Sequence, residues 1–211
     1  MKKIVLFLLL TFVSCEIPYD GETIIKLKIK VVNSNNEPLA NEKAYIETSY
    51  ADGSYDFSTY KKTSNAEGLI QFNMFKPTNS ATLVLDTSTE YLPVSIHGLD
   101  DNNFEGINWN LETLTLFKFE ELVSFTVNIN QVSTNKVLKS ISINGIEYRE
   151  HIFLNSNYID FYYEYPTNFM LKKNQNFELL YKTINTDTNE IEEFVIPLRI
   201  NETETNYTII I

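Results

Sequence analysis

Ile25-Lys26-Leu27-Lys28-Ile29-Lys30-Val31 places four apolar side chains in strict alternation with three lysines. A period of two sends successive side chains to opposite faces of a pleated backbone, so the segment predicts a β-strand with one buried and one wet face. Leu69-Ile70-Gln71-Phe72-Asn73-Met74 repeats the pattern, and further strands are predicted at 43–50, 55–62, 81–86, 91–96 and 111–119. Turn signals separate them: Asn33 to Asn36, Asp52-Gly53, and Asn65-Ala66-Glu67-Gly68. Their recurrence every ~8–12 residues is the rhythm of stacked antiparallel sheets. No stretch of useful length shows the 3.6-residue apolar repeat of a helix.

The second half keeps the style without repeating the sequence. Val123-Ser124-Phe125-Thr126-Val127-Asn128-Ile129 opens a new set of strands, so a boundary is expected near Glu120-Glu121. Asn144-Gly145, the strongest short hairpin signal, predicts a hairpin between 140–143 and 146–149. Strands are also expected at 158–165, 177–186, 190–200 and 207–211, those at 177–186 and 190–200 forming a second hairpin across Asn185 to Asn189, with Pro197 demoting its strand toward an edge because proline cannot donate to a ladder. The expectation is an all-β chain of two tandem antiparallel β-sandwich domains, 23–120 and 121–211.

Composition agrees with an ordinary globular protein. Of 211 residues, 43% are hydrophobic and 13% aromatic, with 13 Tyr and 14 Phe against only 6 Gly and 6 Pro. Aromatic and β-branched side chains fit a half-buried pleated surface. The formal net charge of -11 argues against nucleic acid as a partner and leaves no polybasic patch for anionic lipid.

The N-terminus supplies a different route to a membrane. Lys2 and Lys3 precede an apolar run, 4–13, broken only by Thr11, and Ser14-Cys15 follows at once. This is the architecture of an export signal, and its ten-residue apolar run, about 15 Å long as a helix, is too short to span a bilayer core. Phe12-Val13-Ser14-Cys15 resembles a lipobox, the site at which bacterial lipoprotein precursors are cut so that the cysteine becomes the first residue. That resemblance implies removal of 1–14, diacylglycerol on Cys15, a tether over 15–22, and residence at a membrane of the bacterial envelope, the outer membrane or cell surface. Cys15 is the single cysteine of the chain, so it has no intramolecular disulfide partner.

A second resemblance covers roughly residues 23–119. Val31-Val32-Asn33, then Glu37-Pro38-Leu39-Ala40-Asn41-Glu42-Lys43-Ala44-Tyr45-Ile46, then Lys62-Thr63-Ser64-Asn65-Ala66-Glu67-Gly68-Leu69-Ile70-Gln71-Phe72, is similar to the transthyretin-like or carboxypeptidase-regulatory-like family and its bacterial Ig-like relatives. The likeness implies a β-sandwich and says little about ligands. Asn41 stands where such domains often carry glycine.

Candidate chemistry is sparse. His97 and His151 lie far apart in sequence, and no second histidine stands at ligand spacing from either, so the sequence offers no zinc site. No catalytic motif and no cofactor motif is present, and the expectation is a non-enzymatic binding, assembly or accessory module. Asp100-Asp101-Asn102-Asn103-Phe104-Glu105 gathers hard oxygen donors, making Asp100, Asp101, Asn103 and Glu105 calcium candidates against a plain acidic loop. Trp109, the only tryptophan, reads as core or as a sugar-stacking platform, and Tyr162 and Tyr165, with Tyr158 and Tyr163, as core or as a binding face. The expected partners are an envelope protein or glycan. The alternative is a carbohydrate-binding protein or glycan-processing enzyme using the Asp100 to Trp109 loop and the tyrosine-rich strand.

Overall fold

A computed structural model of the chain describes residues 19–48, 58–77, 80–86, 90–100, 107–154, 167–201 and 205–211. The first half contributes β1 (Tyr19–Val32), β2 (Lys43–Thr48), β3 (Ser58–Thr63), β4 (Leu69–Pro77), β5 (Ala81–Asp86), β6 (Val94–Leu99) and β7 (Asn108–Thr115). A 3₁₀ turn, Phe119–Glu121, leads into β8 (Leu122–Asn130), β9 (Lys136–Asn144), β10 (His151–Phe153), β11 (Asn168–Lys172), β12 (Asn176–Asn185), β13 (Ile191–Arg199) and β14 (Asn206–Ile210). The fold is all-β, and no described helix is long and apolar enough to cross a membrane.

The opening heptad lies at the centre of the first core. Ile25, Leu27 and Ile29 pair across β4 with Met74, Phe72 and Ile70, while Leu27 and Val31 pair across β7 with Trp109 and Leu114. All point inward against Ala44 and Ile46 of β2, Leu83 and Leu85 of β5 and Val94 and Ile96 of β6. Each such side chain removed from water stabilises the fold by about 1.5–3 kcal/mol. Lys26 and Lys30 stay exposed on the opposite face, as alternation requires. The second half builds a separate cluster from Phe125, Val127, Leu171 and Ile209 on one side and Ile141, Ile143, Phe177 and Leu179 on the other.

The two halves share a strand plan that their sequences do not reveal. The first sheet runs β4-β1-β7 and the third β11-β8-β14, so each half puts its first strand between its fourth and its last. The last strand is parallel to the first in both. The remaining strands of the first half form the order β6-β5-β2-β3, and those of the second β13-β12-β9. β10 occupies the position in chain order that β3 holds, yet it leaves its own half. It adds to the far edge of β6 in parallel, making the sheet β10-β6-β5-β2-β3. The sheets are therefore mixed, with three parallel pairings among the antiparallel ones.

This crossing overturns the hairpin expected at Asn144-Gly145. Gly145 does turn the chain at φ 74°, but β9 pairs with β12, and 146–149 forms no strand. Tyr148 instead enters the first core, and its burial outcompetes the local hairpin. The hairpin of β12 and β13 forms, with Pro197 on the edge strand as expected. Asp52-Gly53 and the segment 158–165 lie outside the described residues.

Asparagine takes several left-handed turn positions in this glycine-poor chain: Asn36, Asn41, Asn174 and Asn189 all have φ between 59° and 65°. A short amide side chain tolerates this region better than other non-glycine residues. Asn41 thus meets the geometry that glycine meets elsewhere. Ser64 fastens the adjoining turn, its buried hydroxyl donating to Leu39 O at 2.6 Å and accepting from Glu42 N at 2.9 Å.

Candidate functional site

The sheet that β10 completes buries one face and presents the other. Alternation on β2 sends Ala44 and Ile46 inward and Lys43, Tyr45 and Glu47 outward; on β5 it sends Leu83 and Leu85 inward and Thr82, Val84 and Asp86 outward. Ladder pairing sets these outward positions in rows. Lys61, Tyr45, Val84, Ser95 and His151 stand side by side across five strands. The neighbouring row runs Thr59, Glu47 and Thr82, and ends with His97 paired to Phe153. A depression of about 840 Å³ opens between Lys43, Tyr45, Glu47, Thr59, Lys61 and Asp86.

At the other end of this face the chain's two histidines meet. His97 Nε2 lies 3.1 Å from His151 Nδ1, although the two are 54 positions apart in sequence. Phe153 stacks on His97 at 5.0 Å between ring centroids and 19° between planes. Thr82 Oγ1 stands 3.4 Å from His97 Nδ1, and Glu150 Oε1 stands 3.9 Å from His151 Nε2. Neither histidine could be matched with the other from sequence, because β10 reaches β6 only by leaving its own half. His97 carried a signal, an outward position in the alternating strand Val94–Leu99, whereas the three residues of β10 do not alternate and carried none.

Burial, and secondarily the charge of His151, lower the pKa of His97 from its usual value near 6.5. A histidine with a depressed folded pKa takes up its proton more readily in the unfolded chain. Its contribution is therefore present above pH ~6.5 and is lost as pH falls below that value. The stability advantage of the native chain over His97→Gln, measured by thermal melts in metal-free buffer, should shrink or reverse between pH 7.5 and pH 5.5. A pH-independent difference would remove His97 as the titrating group.

The strand that delivers His151 is held by Tyr148. Its side chain is 3% exposed, its hydroxyl donates to Pro93 O at 3.3 Å, and its ring meets Phe117 edge-on at 6.1 Å. Burial, with a smaller push from Glu150, raises its pKa to about 12, so it stays a neutral donor. Lys172 Nζ reinforces the seam, lying 2.5 Å from Glu147 Oε2 and 5.6 Å from the centroid of Phe117. Backbone bonds complete it: Ser95 N donates to Glu150 O at 2.8 Å and Leu154 N to His97 O at 3.1 Å.

The residues singled out in the sequence fall elsewhere. Trp109 is 2% exposed and packs in the first core beside Leu27, which leaves its ring no free face for a sugar. Asp100 is half-buried at the end of β6, while Asp101, Asn103, Glu105, Tyr162 and Tyr165 lie outside the described residues, as does Cys15. Among the described residues no group of three or more His, Cys, Asp or Glu side chains stands close enough to hold a metal ion.

No protein-family model and no curated protein matches the chain. Among solved structures, it is similar to the major pilin subunit of Bacillus cereus at 10% identity and a TM-score of 0.35, over 85% of this chain and 69% of that one. It is similar to a putative adhesin from Bacteroides ovatus at 12% identity and a TM-score of 0.31, over 90% of each chain. A 3-chlorocatechol 1,2-dioxygenase from Rhodococcus opacus aligns at 11% identity and a TM-score of 0.36, over 48% of this chain and 63%, under two thirds, of that one. At such identities and scores these likenesses carry no inference about role.

Proposed function

We propose that the chain is a bacterial envelope lipoprotein, cut before Cys15 and held at the outer membrane or cell surface by lipid on that residue. On this reading the tether expected over 15–22 shortens to 15–18, because β1 already begins at Tyr19; 23–120 is a transthyretin-like or related Ig-like unit, and 121–211 is a second sandwich that lends β10 to the first. The role is non-catalytic: recognition of an envelope protein or glycan by the outward face of the five-stranded sheet, where Tyr45, His97 and Phe153 offer rings between hydroxyls and charges.

The observation that carries the anchor is the position of Cys15, four residues ahead of β1. Four residues span at most about 14 Å, so lipid there keeps the start of β1 at the membrane surface. The first sandwich presents exposed apolar groups at that end: Ile24 and Phe75, paired across β1 and β4, and Ile107, whose carbonyl accepts from Lys26 N. Such a patch suits a lipid surface better than open water.

Intact mass and membrane partitioning of the native protein against Cys15→Ala test this reading. The native chain should lack 1–14, carry added acyl mass and sediment with membranes, while the variant stays uncleaved or is released. A native product without lipid, free in solution, would overturn the anchor.

A further inference from the structure

We propose that His97 and His151 form an open chelate for a late first-row divalent cation, Cu²⁺ or Zn²⁺, clasped between β6 and β10. The facing nitrogens are 3.1 Å apart. With metal–nitrogen bonds of about 2.0–2.1 Å, two ligands of one ion stand about 2.9 Å apart at a right angle and about 3.3 Å apart at a tetrahedral angle. The observed spacing falls between these, so little movement is needed to admit an ion.

The surroundings admit a tautomer pair that takes an ion rather than a proton in that gap. Thr82 Oγ1, a hydroxyl able to accept or donate, stands 3.4 Å from the far nitrogen of His97, and Glu150 Oε1 stands 3.9 Å from that of His151. If both far nitrogens carry their hydrogens, both facing nitrogens present lone pairs to each other. A direct hydrogen bond between the rings cannot satisfy that arrangement, whereas a cation can. An oxygen near the far nitrogen of each imidazole is also where a histidine–metal site places its outer support, which fixes tautomer and ring angle once it accepts. Phe153, stacked on His97, holds that ring further. Imidazole pairs suit copper and zinc, with copper bound more tightly, and the remaining coordination positions fall to water on the open face. The inference does not depend on the lipid anchor, because every group in it belongs to the folded sheet.

The test uses the purified full chain in detergent, titrated with Cu²⁺ and separately with Zn²⁺ at pH 7.5. One ion per chain should bind, copper the tighter. His97→Gln and His151→Gln should each weaken binding by at least about tenfold, and Glu150→Gln by less. Binding should weaken on acidification, because protons compete with a metal ion for nitrogen ligands. A second readout needs no variant: the chain has only two histidines, so sub-stoichiometric Cu²⁺ should broaden both pairs of imidazole proton resonances before any others. No binding, binding that survives loss of both histidines, or broadening that spares the imidazoles would each overturn the site.

Discussion

Gly68→Ala should destabilise the protein by at least about 3 kcal/mol, lowering the melting midpoint by roughly 6–12 °C for a chain of this size. Two costs combine. Gly68 sits at φ 74°, where a side chain is strained, and a Cβ built there would lie 2.3 Å from Val31 O. That oxygen is backbone of β1 and already accepts from Leu39 N at 3.1 Å, while Val31 N is tied to Gly68 O at 2.8 Å. The clash cannot be relieved by a rotamer change and must move the central strand of the first core. Gly145→Ala is the control, since Gly145 has the same φ but its nearest neighbour, Phe177 Cα, is 3.9 Å from the built Cβ. It should cost only the conformational strain, about 1 kcal/mol. Equal losses in the two variants would show that the close approach at Gly68 is not formed.

Tyr148→Ala should cost about 3–5 kcal/mol, the range for removing a buried aromatic side chain. Its effect should be specific in place as well as large. Tyr148 is the only described residue of the loop from Gly145 to Glu150 that is buried in the first core, and β10 begins three residues beyond it. Losing the ring should loosen β10 and remove the edge-on contact with Phe117, in the cluster that also holds Leu122 and, at its margin, Met170. Tyr148→Phe keeps the packing and loses only the bond to Pro93 O, about 0.5–1.5 kcal/mol. Limited proteolysis near 150 and thermal melts on the three chains measure both effects. A Tyr148→Ala protein as stable as Tyr148→Phe would mean that the loop does not dock.

How much of this was legible in sequence follows from what periodicity encodes. Alternation fixes which side chains share a face; it located β1 and β4 with their inward residues, and β5 was expected as a strand at its observed bounds. It does not encode which strand lies alongside. The parallel pairing of β1 with β7 and of β8 with β14 therefore left no trace, and neither did the shared plan of the two halves. Local turn chemistry succeeded where nothing competed, as at 185–189, where Asn185 Oδ1 accepts from Asp187 N and Thr188 N. It failed at Asn144-Gly145, where burying Tyr148 is worth more than a two-residue hairpin.

The candidate face was the least legible part for the same reason. Its histidines belong to strands that meet only through a crossing, so their separation of 54 residues hid a 3.1 Å contact. Trp109 shows the converse. A lone tryptophan draws attention as a ligand platform, yet its position opposite Leu27 in the ladder makes it core.

The histidine end of the outward face depends on β10 joining β6, and amide hydrogen exchange tests that junction directly. Ser95 N and Leu154 N are the donors at the two ends of that ladder, bonded to Glu150 O at 2.8 Å and to His97 O at 3.1 Å. Both amides should exchange slowly in the native chain, together with those of β5 and β6, and both should lose protection in Tyr148→Ala. Exchange of Ser95 and Leu154 at the rate of an open chain, while β5 remains protected, would contradict the five-stranded sheet and the histidine face built on it.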